Sequence, residues 1–203
     1  MSMLGKFERR ASRRGTGVLP PNPTRWEHEH NGLDLRDDLS LPIDRRLEHL
    51  AAFDLIKDVI GVIPHTALNL TQDVIKHFSG SRASRWSGMC VPCPEGHLVV
   101  FNAAHPETRV RATLMEEFFH LRLGHAPTVV RVSGGQGARD FNASTESEAY
   151  GSGAAALVPY KALKAMLGDG MSVTEIADHF HVSEQLVDFR MQVSKLVRRR
   201  KRA

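Results

Sequence analysis

The sequence predicts a mostly helical α+β fold, with a small β-sheet ahead of a central helix and a helix-turn-helix-like segment at the end. Three stretches carry this reading. Residues 109–125, RVRATLMEEFFHLRLGH, stack Leu114, Phe118 and Leu121 on one side at about 100° per residue, with His125 below them. Met115, Phe119 and Leu123 widen that apolar surface, so the helix is mostly buried and keeps one polar stripe of Thr113, Glu116, Glu117, His120 and Gly124. Residues 89–102 read as a hairpin, because strand formers from His97 to Phe101 follow the turn residues Pro94, Glu95 and Gly96. After Tyr160 come three short helices. Ser172 and Glu175 form a capping box ahead of Ile176 and Phe180, and Ser183 opens a last helix through Leu186, Val187 and Met191.

The remaining elements follow in chain order. Residues 1–41 mix Arg, Ser, Gly and Pro with no sustained apolar period, and such a segment buries too little surface to offset its ordering entropy. It is expected to be a disordered basic arm, with His28 and His30 as plain surface histidines. Ser40 and Pro42 resemble a helix start, and Leu47, Leu50, Ala51, Leu55 and Ile56 supply an apolar face. Val62 and Ile63 before Pro64 predict an extended piece, since the residue before proline is pushed out of the helical region. A second short helix is expected from Thr71 through Val74 and Phe78 to Gly80. Residues 133–137, SGGQG, read as a flexible loop and not as a phosphate cradle, because no Lys-Ser/Thr signature follows on a helix. Beyond it, Glu146 and Glu148 open a helix of small residues, Gly151 to Ala156, that can approach a neighbour closely.

Composition narrows the class. Of 203 residues, 41% are hydrophobic and 25% charged, as in ordinary globular proteins. No apolar run reaches the roughly 18 residues of a membrane span and no signal sequence opens the chain, so a cytoplasmic protein without membrane partners is expected. Two cysteines, Cys90 and Cys93, cannot staple a fold; with His97 they form an incomplete zinc set that fits a hairpin better. The net charge of +4 is concentrated at the ends, in Lys6, Arg9, Arg10, Arg13, Arg14 and Arg25 and again from Arg198 to Arg202. Such runs suit polyanions, whether nucleic acid or a membrane surface, yet solvated tails are the commoner case.

The polar stripe carries the chemistry. Glu116-Glu117-x-x-His120 is one residue type away from H-E-x-x-H, the helical motif whose two histidines bind zinc while the glutamate acts as base. A carboxylate also binds metal, so the exchange alters charge and softness without removing a donor. The whole stretch resembles the R-x-R-F-T-x-A-H-E-x-G-H-L-x-L-G-H segment of the ImmA/IrrE family of metallo-endopeptidases, with the first His replaced by Glu. A second match follows, where residues 148–159, EAYGSGAAALVP, resemble the E-A-N-x-F-A-A-x-L-L-M-P helix of that family. The terminal stretch through Arg190 is similar to the family's end, and the resemblance spans residues 45–190.

The resemblance implies a zincin-like metallopeptidase domain over residues 42–160 and a C-terminal helical segment with a basic tail over 161–203. It implies metal ligands Glu116, His120 and Glu148, with Glu117 as catalytic base and Tyr150 as a candidate for contacting the substrate carbonyl. Zinc is the expected ion, with manganese or iron as alternatives because two carboxylates harden the site. The implied substrate is a helix-turn-helix transcriptional repressor cut at one site. Met115, Glu116 and Phe119, where the family has Ala, His and Gly, keep a second reading open, that of a catalytically degenerate module binding protein or DNA.

Overall fold

The computed structural model describes residues 19–69, 71–72, 86–125, 130–133, 136–139 and 142–196. In chain order these form α1 (Trp26–Asp38), α2 (His49–Phe53), β1 (Val59–Pro64), β2 (Gly88–Cys93), β3 (Gly96–Phe101), α3 (Glu107–Arg122), β4 (Val130–Ser133), β5 (Gln136–Arg139), α4 (Ala143–Leu157), α5 (Tyr160–Gly168), α6 (Val173–Phe180) and α7 (Glu184–Val193). The architecture is the expected α+β one, mostly helical with a small sheet. No helix among the described residues is long and apolar enough to cross a membrane.

The core forms where the apolar stripes of α3 to α7 converge. Leu114, Phe118 and Phe119 of α3 are fully buried with Leu157, Leu163, Ile176, Phe180 and Val187. Phe118 meets Phe53 and Phe119 edge-on at centroid distances of 5.5 and 5.2 Å, the arrangement ring quadrupoles favour. Helix α4 lies between α3 and α1, and its small residues make that possible. A Cβ on Gly153 would stand 3.1 Å from the carbonyl carbon of Met115, and one on Gly32 of α1 would stand 2.6 Å from the amide nitrogen of Ala156. Close packing is thus the structural use of the Gly/Ala run.

Helix α1 corrects the disordered-arm expectation for residues 26–38. Its buried residues, Glu29, Gly32, Leu35 and Arg36, follow helical spacing, but three of the four are charged or lack a side chain, so hydrophobicity shows no period. Residues 1–18 lie outside the described ones. His28, half-buried against Gly151, and His30, with a buried Nε2, are correspondingly not plain surface residues.

The helix expected from Pro42 forms only as the short α2. Two buried arginines account for this by taking the carbonyls that a helix would need. Arg36 Nη1 donates to the Pro42 and Arg45 oxygens at 2.8 and 2.9 Å, and Arg111 Nη2 to the Leu47 oxygen at 2.6 Å. Ser40, read as a helix start, instead ends α1 in the left-handed region at φ 52°.

The extended piece before Pro64 is β1, and the hairpin is β2–β3. Their sheet has the order β1-β3-β2, with β1 parallel and β2 antiparallel to β3. Strand β2 is therefore an edge, and it runs beside α3. Of residues 133–137, expected as loop, Ser133 ends β4 and Gln136 and Gly137 open β5, and the two strands form an antiparallel ladder with Val130 opposite Arg139. The helix expected over 71–80 falls almost wholly outside the described residues.

At the C-terminal end, the Ser172–Glu175 capping box and the Ser183 cap are both formed. His181 turns the chain between α6 and α7 at φ 53°, and its Nε2 lies 3.1 Å from the Glu107 carboxylate at the start of α3. The helix-turn-helix-like pair is thereby fixed to the motif helix.

Candidate metal centre

Glu116 and His120 stand one turn apart on α3, so both project from the same stripe of the helix. Helix α4 begins opposite them, capped by Asn142, whose side chain accepts from the Ser144 amide at 3.0 Å. Glu146 lies in the first turn of α4 and Glu148 in the next, two residues and so about 200° apart, and they face different histidines. Donor atoms of Glu116, His120 and Glu146 all lie within 4.8 Å of one another, with all three side chains partly shielded from water. His120 Nε2 is 3.6 Å from Glu146 Oε2. Glu148, the third ligand implied by the resemblance, instead places Oε2 3.3 Å from His125 Nε2. The other ring nitrogen of His125 lies 3.1 Å from His120 Nδ1.

A tight turn makes that second histidine available. Gly124 adopts φ 68°, and the amides of Gly124 and His125 bond back to the Leu121 and His120 oxygens at 3.1 and 2.9 Å. This is the Schellman ending of a helix, for which glycine is suited because its left-handed φ carries no Cβ clash. His125 is thus folded back onto His120, with the two rings edge-to-face at 5.0 Å.

Glu117 faces the sheet. A Cβ on Gly88 of β2 would come 2.7 Å from Thr113 Cγ2 and 3.7 Å from Glu117 Cγ, so the edge strand reaches this side of α3 through a residue without a side chain. The nearby Cys90 thiol is pushed up to about 11, chiefly by burial and then by the Glu117 and Cys93 charges. Cys90 and Cys93 are free thiols, and with His97 they form no three-donor group among the described residues. Tyr150 packs edge-on to Phe189 of α7 at 5.0 Å, and its hydroxyl pKa is raised first by burial and then by Glu116. A phenol held protonated beside the cluster can donate a hydrogen bond.

The structure therefore gathers Glu116 and His120, sets Glu117 between α3 and β2, and places Tyr150 at the margin. Glu146, His125 and His28 were not singled out from the sequence as site residues. His28 is half-buried near Glu148, and its pKa is lowered by burial and by Arg25 more than Glu148 raises it. The first two were within reach, since His125 is the last residue of the motif stretch and Glu146 stands two before Glu148. His28 was hidden because the helix that carries it shows no apolar period.

Two carboxylates and an imidazole suit a divalent cation in both charge and donor type, so the residues fit the metal that the motif calls for. No curated protein matches the chain. A family description does match over residues 66–192, more than half of the length, and that span takes in α3, α4 and the whole donor cluster. On that match the chain belongs to the peptidase family described as the IrrE N-terminal-like domain, a family of metal-dependent proteases.

Proposed function

We propose that the chain is a metal-dependent endopeptidase in which Glu116, His120 and a carboxylate from the start of α4 hold a divalent cation and Glu117 is the general base. The observation that carries this reading is the three-donor cluster, with Glu117 one residue along α3 and turned toward an edge strand. A bound divalent cation supplies Lewis acidity, which lowers the pKa of water and polarises a peptide carbonyl. Glu117 accepts the proton of the attacking water and returns it to the amine released when the peptide bond breaks. Tyr150 donates to the carbonyl oxygen as charge develops there. The edge of β2, unpaired among the described residues, offers backbone groups to an extended peptide, which would lie along α3 with its scissile bond beside Glu117.

The residues that depart from the family pattern favour the degenerate-module alternative less than their number suggests. Met115 and Phe119 are fully buried, and Met115 is accommodated by Gly153, so those exchanges are absorbed between α3 and α4. Only Glu116 among them changes the donor set. By the family resemblance the substrate is a helix-turn-helix repressor, which would make the protein a regulator of transcription in the cytoplasm. Zinc, manganese and iron are the candidate ions, since two carboxylates reduce the preference for zinc.

Glu116→His tests the reading. It rebuilds a set of two His and one Glu, so the variant should bind zinc more tightly than the parent and cleave a cognate repressor at least as fast. Glu117→Gln in that background should abolish cleavage while retaining zinc. If Glu116→His binds zinc yet cuts none of the repressors encoded beside it, and Glu117→Gln changes nothing, the interaction module replaces the protease.

A further inference from the structure

We infer that Glu148 acts through His125 to fix the tautomer of His120, so that His120 presents a lone pair to the donor group it forms with Glu116 and Glu146. The inference rests on the metal-dependent reading above and assigns the roles within it.

The argument is one of donors and acceptors. An ionised carboxylate can only accept, so the 3.3 Å contact between Glu148 Oε2 and His125 Nε2 requires the proton on that nitrogen. Neutral His125 then has a bare Nδ1, which can only accept. Its partner 3.1 Å away, His120 Nδ1, must therefore carry a proton and donate it. Neutral His120 is left with a lone pair on Nε2. That nitrogen faces Glu146 at 3.6 Å, inside the group it forms with Glu116 and Glu146.

With both imidazoles neutral each step has one solution, and the chain delivers a lone pair where a cation would be bound. Exchanging the two glutamates' roles breaks it. A Glu148 drawn to the cation would take the acceptor from His125 and with it the proton order that this chain imposes on His120. The backbone supports the same contact, because the glycine turn at Gly124 folds His125 back onto His120. Glu148 and His125 are thus positioning residues, of the kind that orients a ligating histidine through its second nitrogen.

The test uses the full-length protein, labelled with nitrogen-15, at mildly alkaline pH. Without metal, long-range proton–nitrogen correlation should find His120 protonated at Nδ1 and His125 at Nε2. On addition of zinc the His120 Nε2 resonance should shift, while the His125 Nε2–H remains. In titrations with cobalt, Glu146→Gln should lose stoichiometric uptake. His125→Leu should keep it with affinity weakened by about 10–100-fold, the usual effect of losing such a partner. His125→Gln, whose amide oxygen can accept the same Nδ1–H, should recover most of that loss, which a packing defect would not. His120 protonated at Nε2 in the parent, or normal uptake by Glu146→Gln alongside loss in Glu148→Gln, overturns the assignment and leaves the protease reading standing. A parent chain that takes up neither ion overturns both.

Discussion

Arg111 sits fully buried at the start of the motif helix, where its guanidinium donates to the Leu47 oxygen at 2.6 Å and meets His49 Nδ1 at 3.0 Å. A histidine that accepts from a guanidinium must keep that nitrogen bare, and burial together with the Arg111 charge pushes the His49 pKa down to about 4, against the opposing pull of Glu48 and Glu107. The unfolded chain, with an ordinary value of 6.5, binds the extra proton first. The contribution of His49 to stability is therefore complete above about 6.5 and declines as pH falls toward about 4. His49→Gln keeps an acceptor for Arg111 without titrating. Urea midpoints of parent and variant should diverge across that window, the parent losing more on acidification, and parallel curves would show that His49 does not carry the loss. At this scale the sequence was informative about residue type and less so about pairing. Glu116, Glu117 and His120 announce themselves through spacing on one helix. Which of Glu146 and Glu148 meets them depends on how α4 is rotated against α3, and no periodicity within a single segment encodes that.

Among the elements, those with an apolar period or a named cap were legible: the motif helix, the β2–β3 hairpin and the capped pair α6 and α7. Helix α1 was not, because its contact with α4 relies on Gly32 and on charged residues that are satisfied internally. Strands β4 and β5 were hidden by their short length, by Gly137 within β5 and by Gly134 and Gly135 between them in the sequence. The steric basis of the α1–α4 contact can be tested. Gly32→Ala puts a Cβ 2.6 Å from a backbone nitrogen that cannot yield as a side chain would, and should destabilise by about 1–3 kcal/mol, as overpacking does. Gly168→Ala, with nothing within 4 Å of the new Cβ, is the control and should be neutral or gain up to about 1 kcal/mol from helix propensity. Equal midpoints for the two variants in thermal melts would mean that α1 does not depend on close approach. Helix α7 bears on function in the opposite direction from its shape. Its exposed positions are Glu184, Gln185, Asp188 and Gln192, a face that phosphates would repel. The helix-turn-helix-like pair thus reads better as a support for Tyr150 and α3 than as a DNA reader, and nucleic-acid binding would fall to the basic termini, outside the described residues.

For the molecule as a whole, the question is whether the segments read from the sequence as arm, central domain and C-terminal segment behave as separate parts. One buried ion pair argues that they do not. Glu29 of α1 pairs with Arg190 of α7, at 1% and 2% exposure, and Arg190 Nε also donates to the Val158 oxygen at 2.9 Å. The other Glu29 oxygen accepts from the Tyr160 amide at 2.7 Å, so α1 and α7 both close on the junction between α4 and α5. Such a pair adds little over an apolar substitute, but removing one member strands a charge without water, at a cost of about 3–5 kcal/mol. Arg190→Met should therefore lower the unfolding free energy by that amount. The double variant Glu29→Met with Arg190→Met should recover part of it, since no charge is left unpaired, though the Tyr160 amide and Val158 oxygen lose their partners. If the three segments form one cooperative unit, tryptophan fluorescence and far-UV circular dichroism should report a single coincident urea transition in every variant. Trp26 lies on α1 itself, so a loosened N-terminal helix would register there first. A fluorescence transition at lower urea than the dichroism transition in Arg190→Met would show α1 detaching alone, and the metal centre would then be built on two separable pieces and not on one.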